Sequence, residues 1–228
     1  MSDSITVDVW SDVVCPWCYI GKRRFERGLE RYREQGGTLD VRLVHHSFLL
    51  APDTPTDFDG TVADFLAGHK GMPPQQVRDM LDQVRQIAAA EGLAYDFDAA
   101  QHTTTLAAHE VLHLAAAHGR QDEMVERLFR AYFEEGRHIG RAEELAQLAA
   151  EVGLDAAEVR TALDDRRFAA AVEQDFAQAR AYGISGVPFF VIDGRYGVSG
   201  AQDAEVFAQA LRQVAVDREG AVVGGSPA

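Results

Sequence analysis

Cysteine is almost missing from this 228-residue chain: there are two, Cys15 and Cys18. A pair so close together can hold no distant segments, so a disulfide framework is excluded and any role for the pair is chemical. Lysine is as scarce, with Lys22 and Lys70 alone, and positive charge as a whole is outweighed. Lys and Arg number 22 against 36 Asp and Glu, a net charge of −14. That balance repels phosphate backbones and anionic lipid surfaces, which argues against nucleic-acid or membrane partners. No apolar run approaches the roughly 18 residues of a membrane-spanning helix. The opening Met1-Ser2-Asp3-Ser4 lacks the basic and apolar regions of a secretory signal, so the chain reads as cytoplasmic. Repeats and low-complexity linkers are also lacking. What is present, 46% hydrophobic and 25% charged residues, is the composition of an ordinary globular protein with room for a sizeable core.

The pattern along the chain divides it. Ser4 to Trp10 alternates and is β-branched, which predicts a strand. Cys18, Phe25, Leu29 and Tyr32 share one helical face, and Gly36-Gly37 closes that helix. Leu39 to His46 reads as a second strand, on which His45 and His46 point to opposite faces. Pro52, Pro55, Asp53, Asp57 and Asp59 then mark a loop. From about Thr61 to Gly183 the pattern is almost wholly helical. Its stripes are Val77-Met80-Leu81-Val84-Ala88, Val125-Leu128-Phe129-Tyr132-Phe133, Leu145-Leu148-Ala149-Val152 and Val172-Phe176-Ala179. Asp155 and Glu158 have the spacing of a capping box. Val187 to Ile192, the turn Asp193-Gly194 and Tyr196 to Ser199 predict a hairpin. A last helix is expected from Asp203 to about Val216. The resulting division is residues 1–58 and 183–218 as two parts of one α/β domain, 59–182 as an all-α helical insertion, and 219–228 as a fraying tail.

The two cysteines stand as Cys15-Pro16-Trp17-Cys18 between a predicted strand and a predicted helix. Pro16 suits the first helical turn, where its missing N–H costs nothing. The free N–H groups and positive end of the helix dipole favour a thiolate on Cys15. Cys18, one turn on, can reach Cys15 and displace a mixed disulfide, which is the geometry of thiol–disulfide exchange. Two blander readings compete. Half a zinc site would need further ligands; further thiolates are absent, and histidines would have to complete it. Two buried, inert cysteines fit poorly around Pro-Trp at such a junction. Lys22, Arg23, Arg24 and Arg27 form a local basic cluster, read as a solvated helix face rather than as a device for thiolate stabilisation or an anionic-substrate site. Asp12 could take a proton from the cysteines or hold the turn before them. Asp164-Asp165 read as solvated surface.

The motif, the long helical insertion and the late Gly186-Val187-Pro188 together resemble the DsbA family of thioredoxin-fold oxidoreductases. The strings DVVCPWCYIG (Asp12 to Gly21), GISGVPFFVI (Gly183 to Ile192), VSGAQ (Val198 to Gln202) and LFRAYF (Leu128 to Phe133) are most similar to its FrnE-like branch. That branch usually carries a polar or basic residue after the pair matched here by Ala108-His109, where this chain has Glu110. The resemblance implies an α/β thioredoxin-like fold with an all-α insertion, and a disulfide oxidoreductase or isomerase in which Cys15 attacks and Cys18 resolves. It implies a cis Val187–Pro188 bond whose backbone meets an extended substrate, with Val14, Phe25 and Val191 in the core and Trp17 partly exposed. It implies no cofactor beyond the redox-active pair and no metal, with glutathione as a candidate reductant. Partners would be protein or small-molecule thiols and disulfides. Large insertions often carry dimer surfaces, so a homodimer is an option, although no stripe is left uncovered.

Two other functions compete. A glutathione-dependent transferase or isomerase of the kappa-class type would share the scaffold, but such proteins typically have serine in place of Cys15 and lack the second thiol. His109-Glu110-Val111-Leu112-His113 spells H-E-x-x-H, which on a helix could bind zinc with Glu110 as base. The residues after His113 lack the glycine and histidine of the longer peptidase motif. A further glutamate, Glu134 or Glu135, could still complete a site.

Overall fold

The computed structural model describes residues 4–223. Among these, four strands and nine helices follow the order β1 (Ser4–Ser11), α1 (Pro16–Glu34), β2 (Asp40–Ser47), α2 (Val62–Lys70), α3 (Pro74–Ala90), α4 (Leu106–Ala117), α5 (Gln121–Phe133), α6 (Ala142–Glu151), α7 (Ala156–Asp164), α8 (Ala169–Ala181), β3 (Phe189–Ile192), β4 (Tyr196–Ser199) and α9 (Ala204–Val223). The sheet order is β2-β1-β3-β4. β1 runs parallel to β2, with Val9 opposite His45, and antiparallel to β3, with Val9 opposite Phe190. β3 and β4 close as the expected hairpin through Asp193 (φ 57°) and Gly194 (φ 65°).

The period-2 rule explains the layering. Ile5, Val7 and Val9 of β1 face α1 and α9, where they pack with Phe25, Tyr32, Phe190, Phe207 and Leu211. Trp10 faces the other side, against Ala179 of α8, Ile184 and Val191. The helices between β2 and β3 build a third core, and Cys15, Cys18, Tyr19 and Ile20 belong to it. α1 therefore buries one face on the sheet and another in the inserted helices. The arrangement is the thioredoxin-like fold with a helical insertion.

Several expectations shift. β3 starts at Phe189 rather than Val187, because Pro188 has no N–H to offer a ladder. Val14 is half-buried rather than core, while Phe25 and Val191 are buried. Asp155 caps α7 by accepting from Ala157 N at 2.9 Å, but Glu158 turns away to His118 and Arg167, so the capping box is half formed. α9 continues past Val216 to Val223. Its extra turns are pinned: Tyr196 donates to Asp217, and Arg218 pairs with Asp193 and donates to Ser4 O at 2.9 Å. Residues 224–228 of the expected tail lie outside the described residues.

Candidate active site

β1 ends at Ser11, and a turn delivers the chain to α1. Cys15 N–H donates to Asp12 O at 2.9 Å in that turn, and Cys15 is the N-cap residue of α1, extended at φ −87°, ψ 113°. Pro16 opens the helix. Cys18 lies one turn on, its N–H donating to Cys15 O at 3.0 Å. Both cysteines are free and buried, whereas Trp17 beside them is 38% exposed. The Cys15 thiol lies 3.7 Å from Val187 O, to which it donates. The Val187–Pro188 bond is cis, as the resemblance implies, and Pro188 O accepts from Gly200 N at 2.8 Å. A Cβ at Gly21 would come within 2.9 Å of Pro188 Cγ, so glycine there admits the ring against α1. The six residues singled out from the sequence, Cys15, Pro16, Trp17, Cys18, Val187 and Pro188, thus form one place.

Its electrostatics follow from burial. The Cys18 thiol is held well above its ordinary range, first by desolvation and then by its hydrogen bond with Cys15. Asp12 is buried and holds the turn: its Oδ2 accepts from Leu50 N at 2.8 Å. Tyr95 has no sequence signal, yet its hydroxyl donates to Pro16 O at 2.8 Å and braces the first turn from the inserted region.

The basic cluster is not a solvated face. Lys22 is 6% exposed and is enclosed by Glu26, Asp122 and Glu126. Burial pushes its ammonium down, but Asp122 and Glu26 outweigh that and hold it above its ordinary value. Arg23 pairs with Glu26 and Glu126, while Arg24 and Arg27 share Glu91 of the turn after α3. These residues tie α1 to the insertion; a helix-face pattern cannot say which charges another segment will bring. Asp164 and Asp165 are exposed, as expected.

His109 and His113 find separate partners. His109 Nε2 donates to Phe48 O at 3.1 Å, and His113 Nε2 donates to Asp175 Oδ2 at 2.9 Å. Glu110, the would-be base, pairs with Arg166 at 2.9 Å. Glu134 accepts from Ala94 N at 3.3 Å, and Glu135 pairs with Arg127 and Arg130. Among the described residues no three His, Cys, Asp or Glu side chains are grouped to hold a metal ion. Asp175 is instead the hub of a charged knot. It also accepts from His46 Nδ1 at 2.7 Å and Ser47 N at 2.8 Å, while His46 Nε2 donates to Asp8 at 2.8 Å. Burial opposes the charge on His46, but the two carboxylates outweigh it and raise its pKa to about 9.

Comparison with known proteins agrees with this geometry. Residues 6–212 match the DSBA-like thioredoxin domain model. A probable DsbA oxidoreductase from Streptomyces coelicolor is 43% identical, with a TM-score of 0.85 over 92% of this chain and 89% of its own. The uncharacterized protein YwbO of Bacillus subtilis is 30% identical over 210 residues, 91% of this chain and 96% of that protein. The cytosolic disulfide reductase DsbM of Pseudomonas aeruginosa, in a structure with GSH, shares the fold at 21% identity. Its TM-score is 0.61, over 93% of this chain and 98% of that one.

Proposed function

The chain belongs to the DSBA-like thioredoxin domain family, and from that membership we propose that it exchanges thiols and disulfides through Cys15 and Cys18. The observation that carries the reading is two free thiols at the start of α1, with the first 3.7 Å from Val187 O. Cys15, the N-cap residue of α1, attacks a substrate disulfide. Cys18 then displaces the substrate thiolate and closes the Cys15–Cys18 disulfide. The Val187 backbone offers an extended substrate a strand-like contact, and exposed Trp17 offers it an apolar one. The direction proposed is reduction or isomerisation in the cytoplasm, with glutathione restoring the dithiol. The name of DsbM and the glutathione in its structure support that choice.

Equilibrating the pure protein across glutathione redox buffers, then alkylating and weighing it, counts the free thiols at each poise. One reversible two-electron transition confined to Cys15 and Cys18 is expected. A pair that never closes removes the reading, and a stable glutathione adduct on Cys15 without closure would favour the transferase alternative.

A further inference from the structure

Pro16 and Trp17 are the two residues between the thiols. The Pro16 ring fixes its own φ, which leaves ψ as the torsion that turns the planar Pro16–Trp17 peptide. The direction of Pro16 O follows ψ, and Tyr95 of the inserted region holds that oxygen, its hydroxyl donating to it at 2.8 Å. A carbonyl oxygen has two lone pairs, so this bond adds to the helix ladder without replacing a rung. The Cys15 and Cys18 N–H groups are held as well, by Asp12 O at 2.9 Å and Cys15 O at 3.0 Å.

Tyr95 is itself anchored. Ala94 N–H donates to Glu134 Oε1 at 3.3 Å and Asp96 N–H to Phe133 O at 2.7 Å, so its two chain neighbours are tied to the end of α5. Its ring stacks on Phe133 with centroids 4.5 Å apart and on Tyr19 at 6.1 Å. The residue is buried. Burial pushes the hydroxyl's pKa well above its ordinary value, and negative charge on Cys15 pushes it the same way. The hydroxyl therefore stays a donor throughout the range in which thiols ionise. Anchored at its base and protonated at its tip, Tyr95 is a rigid post set against the turn between the cysteines.

We propose that Tyr95 is a positioning residue of the exchange, and that by fixing the Pro16 carbonyl it holds the turn in the form from which the two sulfurs close. The assignment rests on the exchange reading above and deepens its second step. In that step Cys18, its proton lost to the buffer, bonds through sulfur to the sulfur of Cys15. The bond from Cys15 to the substrate sulfur breaks, and the substrate leaves as a thiolate. The pair is oxidised by two electrons and the substrate disulfide is reduced. Tyr95 passes neither proton nor electron. Closure within a chain is favoured by how little freedom remains to be lost, and a fixed Pro16 carbonyl removes some of it beforehand.

The reduced full-length chain mixed with Ellman's reagent separates the two steps. Attack by Cys15 releases one thionitrobenzoate, and closure by Cys18 releases the second. Tyr95→Phe keeps the ring and its stacking, and is expected to leave the first phase unchanged and slow the second about fivefold, the worth of one net hydrogen bond. The factor should be the same from pH 6 to pH 9, because the hydroxyl does not titrate there. The closure midpoint in glutathione buffers should move the same way, toward more oxidised glutathione. Tyr32→Phe is the reference. It removes a hydroxyl of the same kind at the far end of α1, the one that accepts from Leu39 N at 3.3 Å, and should leave both phases unchanged. A second phase unchanged in Tyr95→Phe overturns the proposal. So does equal slowing of both phases, or equal slowing in the two variants, since either marks a general loosening of α1. Absence of a second phase in the unmodified chain, with Cys15 reactive, removes the exchange reading itself and leaves Tyr95 no closure to position.

Discussion

The knot around Asp175 joins the sheet to α4 and α8, so replacing His46 by glutamine should weaken that joint in a pH-dependent way. His46 is held by Asp8 and Asp175 and stacks on Trp10 with ring centroids 4.4 Å apart. Its pKa in the folded chain is raised from 6.5 to about 9. At roughly 1.4 kcal/mol per pH unit, the charged form contributes about 3 kcal/mol. A group whose folded pKa is raised contributes fully below its unfolded value, and the contribution fades as pH climbs through the folded value. The gain from His46 should therefore be complete near pH 6 and gone above about pH 9. Urea unfolding of both proteins at pH 6, 7, 8, 9 and 10, at one ionic strength, measures this as a difference. Groups that titrate alike in both proteins cancel, including the two thiols. Lost packing against Trp10 adds a constant offset. The stability difference should shrink by about 3 kcal/mol from pH 6 to pH 10. A difference flat to within about 0.5 kcal/mol, the ordinary scatter for a surface change, would refute the reasoning. On the acid side Asp175 gives the opposite limb. Burial opposes its charge, but His113 and His46 hold it well below the usual carboxylate range, so its contribution is present above about pH 4 and is lost as the pH falls further.

Three more substitutions probe the frame of the site. Gly28→Ala places a Cβ 2.6 Å from Phe207 Cβ and 2.8 Å from Ala204 O where α1 crosses α9. Overpacking of this kind costs about 1–3 kcal/mol and should exceed the roughly 1 kcal/mol of helix propensity gained, so a more stable variant in urea would contradict the crossing. Tyr95→Phe removes the bond to Pro16 O and should cost about 1 kcal/mol, seen as a melting temperature about 2–4 °C lower; an unchanged value would mean the brace carries nothing. Trp17→Ala should cost about 1 kcal/mol of stability, the ordinary scale of a point substitution, because the side chain is 38% exposed. It should lower kcat/KM for a peptide-borne disulfide more than for glutathione disulfide, and equal losses on both would deny Trp17 a substrate contact.

Local features of this fold were readable from the chain because period and punctuation carry them. The stripe Val125-Leu128-Phe129-Tyr132-Phe133 became buried α5, and Asp193-Gly194 became the hairpin turn. The site's near side was readable too, since Cys15, Pro16 and Cys18 are adjacent and Val187-Pro188 carries its own signature. Its far side was not. Tyr95 and Pro16 are 79 positions apart and meet only because the inserted region packs over the first turn of α1. Lys22 shows how this fails in detail. Its spacing from Cys18 states the shared face, but whether that face meets water or carboxylates depends on α5, and no local pattern in α1 encodes α5. Glu158 failed for the same reason, with His118 and Arg167 outcompeting the local cap.

The same argument says what the insertion contributes to the chemistry. A bare strand–helix junction would leave Cys18 facing solvent on the side away from the sheet. Here Tyr19 stacks on Phe129 with centroids 4.9 Å apart, Tyr95 reaches Pro16, and Asp122 and Glu126 close over Lys22. The inserted helices thus supply much of the wall whose burial of Cys18 raises the pKa of its thiol. In the proposed exchange, a change in α5 that touches neither cysteine should therefore move the step carried by Cys18, because α5 helps to cover it.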